Sequence, residues 1–187
     1  MSIFKAVVIG ASAGALEALS TILPDLPASF PLPIMIVVHI PPTRPSALAD
    51  LFAAKCRMAV KEAEDKEPLL PGTIYFAPPD YHLLVEVDKT IALSSDEPVY
   101  FSRPSIDVLF ESAADTYQES LMAIVLSGAN SDGANGLRAV IRAGGVGLVQ
   151  DPNTAFASAM PETAEKMNPG AHVMQLAEIA SYLKRCE

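Results

Sequence analysis

Three short runs constrain this chain most: Ala6-Val7-Val8-Ile9, Ile34-Met35-Ile36-Val37-Val38 and Leu121 to Leu126. Each is continuously apolar, rich in β-branched residues and ends abruptly at small or turn-forming residues. Strands with no polar alternation are buried on both faces, which is the condition of a parallel sheet covered by helices. The segments between them carry the helical period. Leu16, Leu19, Ile22 and Leu23 recur until Pro24 stops them, and further helices are predicted over Ala47 to Met58, Ser105 to Tyr117, Gly136 to about Ala143 and Ala177 to Arg185. Ser105 is a candidate N-cap. Thr73 to Ala77, Val146 to Gln150 and His172 to Leu176 read as additional strands. Leu83 to Val87 and Thr90 to Ser94 flank Asp88-Lys89 and predict an antiparallel hairpin with a two-residue connection. The order predicts an α/β fold: a doubly wound, mostly parallel sheet with helices on both faces and an inserted hairpin.

The 187 residues suit one domain spanning 1–187, half of them hydrophobic, with no repeat, low-complexity segment or linker. Sixteen prolines and ten glycines exclude a coiled coil, and two cysteines, Cys56 and Cys186, are too few for a disulfide framework. A net charge of −9 without a basic run argues against nucleic acid and against anionic membrane surfaces. No signal peptide or membrane-length apolar run is visible, so a cytoplasmic protein is expected.

In an open α/β sheet, ligands bind beyond the carboxyl ends of the strands. The first strand ends in Gly10-Ala11-Ser12-Ala13-Gly14, the second in His39, and the run from Leu121 to Leu126 in a loop containing Asp132. A serine, a histidine and an aspartate at one sheet edge are the parts of a hydrolytic triad. Gly10-x-Ser12-x-Gly14 between strand and helix matches the turn that projects a nucleophilic hydroxyl past small neighbours. His39 would take the Ser12 proton, and Asp132 would accept a hydrogen bond from His39 Nδ1. The backbone N–H groups of Ala13 and Ala129 are the candidate oxyanion donors. The bland alternatives are a Gly-rich turn that happens to hold a serine, a structural histidine, and an Asx turn or N-cap at Asp132. The order Ser, His, Asp differs from that of the α/β-hydrolases.

Arg103 and Ser105, in Phe101-Ser102-Arg103-Pro104-Ser105-Ile106-Asp107, are candidates for positioning an acidic substrate, or ordinary capping residues. His82 is assigned to a loop or rim, His172 to a structural place, and Glu62, Glu64, Asp65 and Glu67 to a solvated face. No metal-ligand spacing occurs. A nucleotide-binding module is the rival of another class, but G-x-G-x-x-G fails at Ser12 and Ala15, and Walker A is absent.

The segments Val8 to Leu19, Ile36 to Pro42, Ile74 to Val85, Ser102 to Ala114, Ile124 to Leu137 and Asp151 to Ala164 resemble, in order, the catalytic domain of the chemotaxis protein-glutamate methylesterases, the CheB family. The resemblance implies a Ser–His–Asp hydrolase whose residues fall on Ser12, His39 and Asp132, with an oxyanion donor at Ala129. It implies hydrolysis of γ-glutamyl methyl esters on the cytoplasmic helices of methylated chemoreceptors, with deamidation of receptor glutamines as a further activity. It implies no cofactor. The chain departs from the family's Ser-Thr-Gly-Gly at Ala13 and Ala15. It departs from the family's Thr-Gly-Met-Gly-x-Asp-Gly at Ser127, Ala129 and Asn130. Met1 leads directly into the first strand, so a free-standing domain is expected; any control would come from another chain, such as a separate regulatory or methyltransferase protein, or from a larger parent of which this is a fragment. The departures also motivate a second reading, a catalytically weakened adaptor with the same fold.

Overall fold

The computed structural model describes residues 3–41 and 46–186. Seven parallel strands form one sheet: β1 (Ala6–Ala11), β2 (Ile34–Val38), β3 (Ala59–Glu62), β4 (Thr73–Phe76), β7 (Leu121–Val125), β8 (Val146–Gln150) and β9 (His172–Met174). The order across the sheet is β3-β4-β2-β1-β7-β8-β9. Strands β5 (His82–Val85) and β6 (Ile91–Ser94) pair antiparallel in a separate hairpin. The helices are α1 (Ala15–Ile22), α2 (Leu48–Ala53), α3 (Ile106–Tyr117), α4 (Ala134–Arg142), α5 (Ala159–Met167) and α6 (Leu176–Lys184).

The three apolar runs are β1, β2 and β7, adjacent at the centre and fully buried apart from a trace of exposure at Val38. Their side chains alternate between two cores. Val7, Ile9, Ile36 and Val38 meet α1 and α6 residues such as Leu19, Ile22, Ile179 and Leu183. Ala6, Val8, Met35 and Val37 face Leu109 and Phe110 of α3, Leu137 and Val140 of α4, and the hairpin residues Leu83 and Ile91. The alternation continues past the strand ends and assigns Ser12 and His39 to this second face.

Several expectations require correction. The helix predicted over Ala47 to Met58 stops at Ala53, and Ala59–Glu62 leave it to pair with Thr73–Phe76 as edge strand β3. The acidic run is therefore in part a strand and its continuation: Lys61 bridges Glu67 at 2.7 Å and Glu64 at 3.3 Å. The hairpin connection is three residues, since Val85 pairs with Ile91 and Glu86 N–H donates to Thr90 C=O. Lys89 closes it at φ +64, as three-residue loops require. Helix α5 had no counterpart in the periodicity; Pro161 lies in its first turn, where no intrahelical donor is needed. Pro42 lies outside the described residues. Among the described residues no helix is long and apolar enough to cross a membrane.

Candidate active site

The ladders of β1 carry on beyond the last regular residue. Ala11 pairs with Val38, His39 N–H donates to Ala11 C=O at 3.1 Å, and Ser12 N–H donates to Ser127 C=O at 2.9 Å. Ser12 thus sits between the ends of β2 and β7, one strand spacing of about 4.8 Å from the His39 backbone. Gly14 turns the chain into α1 at φ +84, and a Cβ there would stand 2.6 Å from Phe156 Cβ. Ser127 fastens this turn: its hydroxyl donates to Ala13 C=O at 2.6 Å and accepts from Ala157 N–H at 2.9 Å. Its own N–H donates to the buried Gln150 at 2.9 Å. Among the described residues the Ser12 hydroxyl has no hydrogen-bond partner, a loose state common in unliganded nucleophile–base pairs.

His39 meets Asp132 through Nε2, at 2.7 Å from Oδ2. The expectation that Nδ1 would face the carboxylate is corrected. An ionised carboxylate only accepts, so Nε2 carries the proton and Nδ1 is the nitrogen left to act as base. Asp132 is fully buried. Its Oδ2 also accepts from Ile106 N–H at 2.7 Å, and its Oδ1 from Asp107 N–H at 2.9 Å and Ser105 Oγ–H at 3.0 Å. Burial alone would raise this carboxyl; the His39 hydrogen bond, the two α3 amides and the imidazole charge outweigh it and hold the group below the usual carboxylate range. Asp132 therefore occupies, from another segment, the place of an N-cap side chain on α3.

Ser105 stands at that N-cap position with extended backbone, but its side chain does not cap its own helix. It is fully buried and donates to Asp132, so its expected substrate-positioning place is replaced by one behind the aspartate. Arg103 is likewise committed elsewhere. Its Nε and Nη2 donate to Asp80 at 3.1 and 2.6 Å, and Nη1 donates to the carbonyls of Ser95 and Asp96 at 2.9 and 3.0 Å. The guanidinium locks the loop before α3 to the hairpin instead of waiting for an anion. His82, assigned to a rim, is buried at the start of β5. Its Nδ1 accepts from Ser105 N–H at 3.1 Å, which leaves Nε2–H to donate to Glu97 C=O at 3.0 Å. His172 is exposed on β9.

The amides of Ala13 and Ala129 have no protein acceptor among the described residues. Asn130 accepts from Asp132 N–H at 3.1 Å, an Asx turn that shapes the loop, and it is not one of the residues with positive φ. Sequence reasoning assigns Asp107 no role. It accepts from Gly133 N–H at 3.0 Å and Gly136 N–H at 2.7 Å. The signal was available: an acidic residue in the first turn of a helix, facing a Gly-rich helix start. The segments that flank the site carry exposed apolar side chains: Leu16 in the first turn of α1, Phe156 against Gly14, and Tyr100 and Phe101 in the loop before α3. Tyr100 and Phe101 both have positive φ, and the Tyr100 hydroxyl accepts from Asn135 Nδ2 at 3.3 Å. Among the described residues no group of three His, Cys, Asp or Glu is placed to hold a metal.

A parallel α/β domain with a serine, a histidine and a buried aspartate gathered at the carboxyl ends of its central strands is the architecture in which serine hydrolases are built. The family model described as CheB methylesterase matches residues 7–183, and the chain belongs to the CheB methylesterase family. A relative from Leptospira interrogans is 46% identical over 184 residues, which cover 98% of this chain and 95% of that one. The protein-glutamate methylesterase/protein-glutamine glutaminase of Symbiobacterium thermophilum is 34% identical, and the match spans 97% of this chain and 50% of that protein. The crystal structure of the Thermotoga maritima CheB methylesterase catalytic domain superposes with a TM-score of 0.93 at 33% identity, covering 98% of this chain and 99% of that one.

Proposed function

We propose that this protein hydrolyses the γ-glutamyl methyl esters of chemoreceptor helices, as a single domain, through Ser12, His39 and Asp132. The observation that carries the proposal is the 2.7 Å contact of His39 Nε2 with a fully buried Asp132, next to the strand that Ser12 follows. His39 Nδ1 takes the Ser12 proton as Oγ attacks the ester carbonyl carbon. The amides of Ala13 and Ala129 stabilise the oxyanion. Collapse of the tetrahedral species breaks the bond to methoxide, which leaves as methanol with the proton from His39. Water then loses a proton to His39, attacks the acyl-Ser12 ester, and the glutamate departs as Ser12 regains its proton. On a glutamine side chain the same steps release ammonia. The Asn130 side chain shapes the Asp132 loop without a left-handed backbone, which favours the active enzyme over the weakened adaptor. Glu17 in the first turn of α1 disfavours a bound phosphate. Ser12→Ala is expected to abolish methanol release from a methylated receptor fragment; full activity in that variant sinks the proposal.

A further inference from the structure

Asp107 and Asp132 cap each other's helices. Asp132 precedes α4 and accepts both first-turn amides of α3 that lie beside it; Asp107, in the first turn of α3, accepts two amides at the start of α4. Two carboxylates are thereby held close together in a buried region. The close approach depends on Gly136, where a Cβ would lie 2.6 Å from Phe110 Cβ and 3.0 Å from Asp107 Cα. Both Asp107 bonds end on Oδ1. Oδ2 can gain or lose a proton while both amide bonds persist. Ionisation of Asp107 therefore changes the charge behind Asp132 without moving the backbone that carries it.

We propose that Asp107 is a positioning residue for Asp132 and that its ionised carboxylate strengthens the hold of His39 on the proton it takes from Ser12. The groups that face Asp107 are Asp132 from the loop before α4 and Glu111 from its own helix. Beyond Asp132 stands His39, and behind Ser105 stands neutral His82. Among the described residues His39 is the one side chain able to carry positive charge that bonds either carboxylate. Negative charge placed behind a carboxylate–imidazole pair favours the imidazolium. Burial first, then the charges of Asp132 and Glu111, push the Asp107 carboxyl up to about 6 against the opposing pull of the Gly136 and Gly133 amides. The group is thus ionised at neutral pH and neutral in mild acid.

The inference rests on the esterase reading for its kinetic readout but not for its spectroscopic one. Asp107→Asn keeps an oxygen for both amides and removes the charge. NMR titration of the His39 ring in the full chain is expected to show its midpoint lowered by roughly half a pH unit in that variant. The acid limb of kcat/KM for a methylated peptide moves with it, at unchanged KM. Asp107→Ala, which also frees the α4 amides, loses kcat as well. A folded Asp107→Asn protein with an unshifted His39 midpoint overturns the proposal. So does a wild-type titration in which the Asp107 carboxyl resonance titrates with no second inflection in the His39 ring, a measurement that needs no variant. Undiminished activity of Ser12→Ala would instead remove the esterase reading and leave the His39–Asp107 coupling standing.

Discussion

Two buried carboxylates a few ångströms of backbone apart shift in opposite directions. Asp132 receives four donors spread over both oxygens, one of them an imidazole that can carry charge. Asp107 receives two amides on a single oxygen and faces two other acids. Burial is the largest influence on both; the donor count decides the outcome. The difference has a thermodynamic sign. A carboxyl whose folded-state pKa is raised favours folding when protonated, so stability is lost as pH rises from the unfolded value of about 3.9 through the folded value near 6. Asp107→Asn does not pay that loss. Its melting temperature is expected to equal that of the wild type near pH 4 and to exceed it by a growing margin that levels off above pH 7. Calorimetric melts across that range check it, and a margin that shrinks with rising pH would contradict it.

The packed pair α3 and α4 is the element on which the site's charge geometry depends. Alanine at Gly136 would push its methyl against Phe110 and the Asp107 backbone. Overpacking of this kind costs about 1–3 kcal/mol. Gly136→Ala is expected to lower the melting temperature by several degrees and to reduce kcat more than it raises KM, as read from a melt and a steady-state assay. Elements with one dominant signal were legible in the sequence. The strands β1, β2 and β7 announced themselves as unbroken apolar runs, and their last residues pointed to Ser12, His39 and Asp132. The edge strand β3 was not legible, because Ala59–Glu62 are half exposed and carry two charges. Helix α5 was hidden by Pro161 and a weakly apolar face. The ring nitrogen that meets Asp132, and the commitment of Arg103 to Asp80, depend on how distant segments meet in space. Nothing within a few residues of either one encodes them.

At the scale of the whole molecule, the net charge is −9, and among the described residues Arg103, the cation expected at the site, is already paired with Asp80. On the proposed function, an acidic receptor segment gains no long-range attraction from this charge, and the exposed side chains of Leu16, Tyr100, Phe101 and Phe156 offer apolar surface for contact. Raising ionic strength from about 0.01 to about 0.15 M is expected to increase kcat/KM for an acidic methylated peptide and to leave a small neutral ester unaffected. A fall with salt would show that attraction, not repulsion, governs the encounter. The strand order carries one further consequence, and it concerns time. Strands β1 to β4 can pair among themselves soon after they leave the ribosome, but β7, which flanks β1 on the other side, follows β1 by more than half the chain. Pairings of such long separation are slow to form. On the proposed mechanism, Ser12 and His39 follow strands that pair early, while Asp132 follows β7, so a nascent or half-folded chain would hold an unactivated serine until β7 pairs with β1.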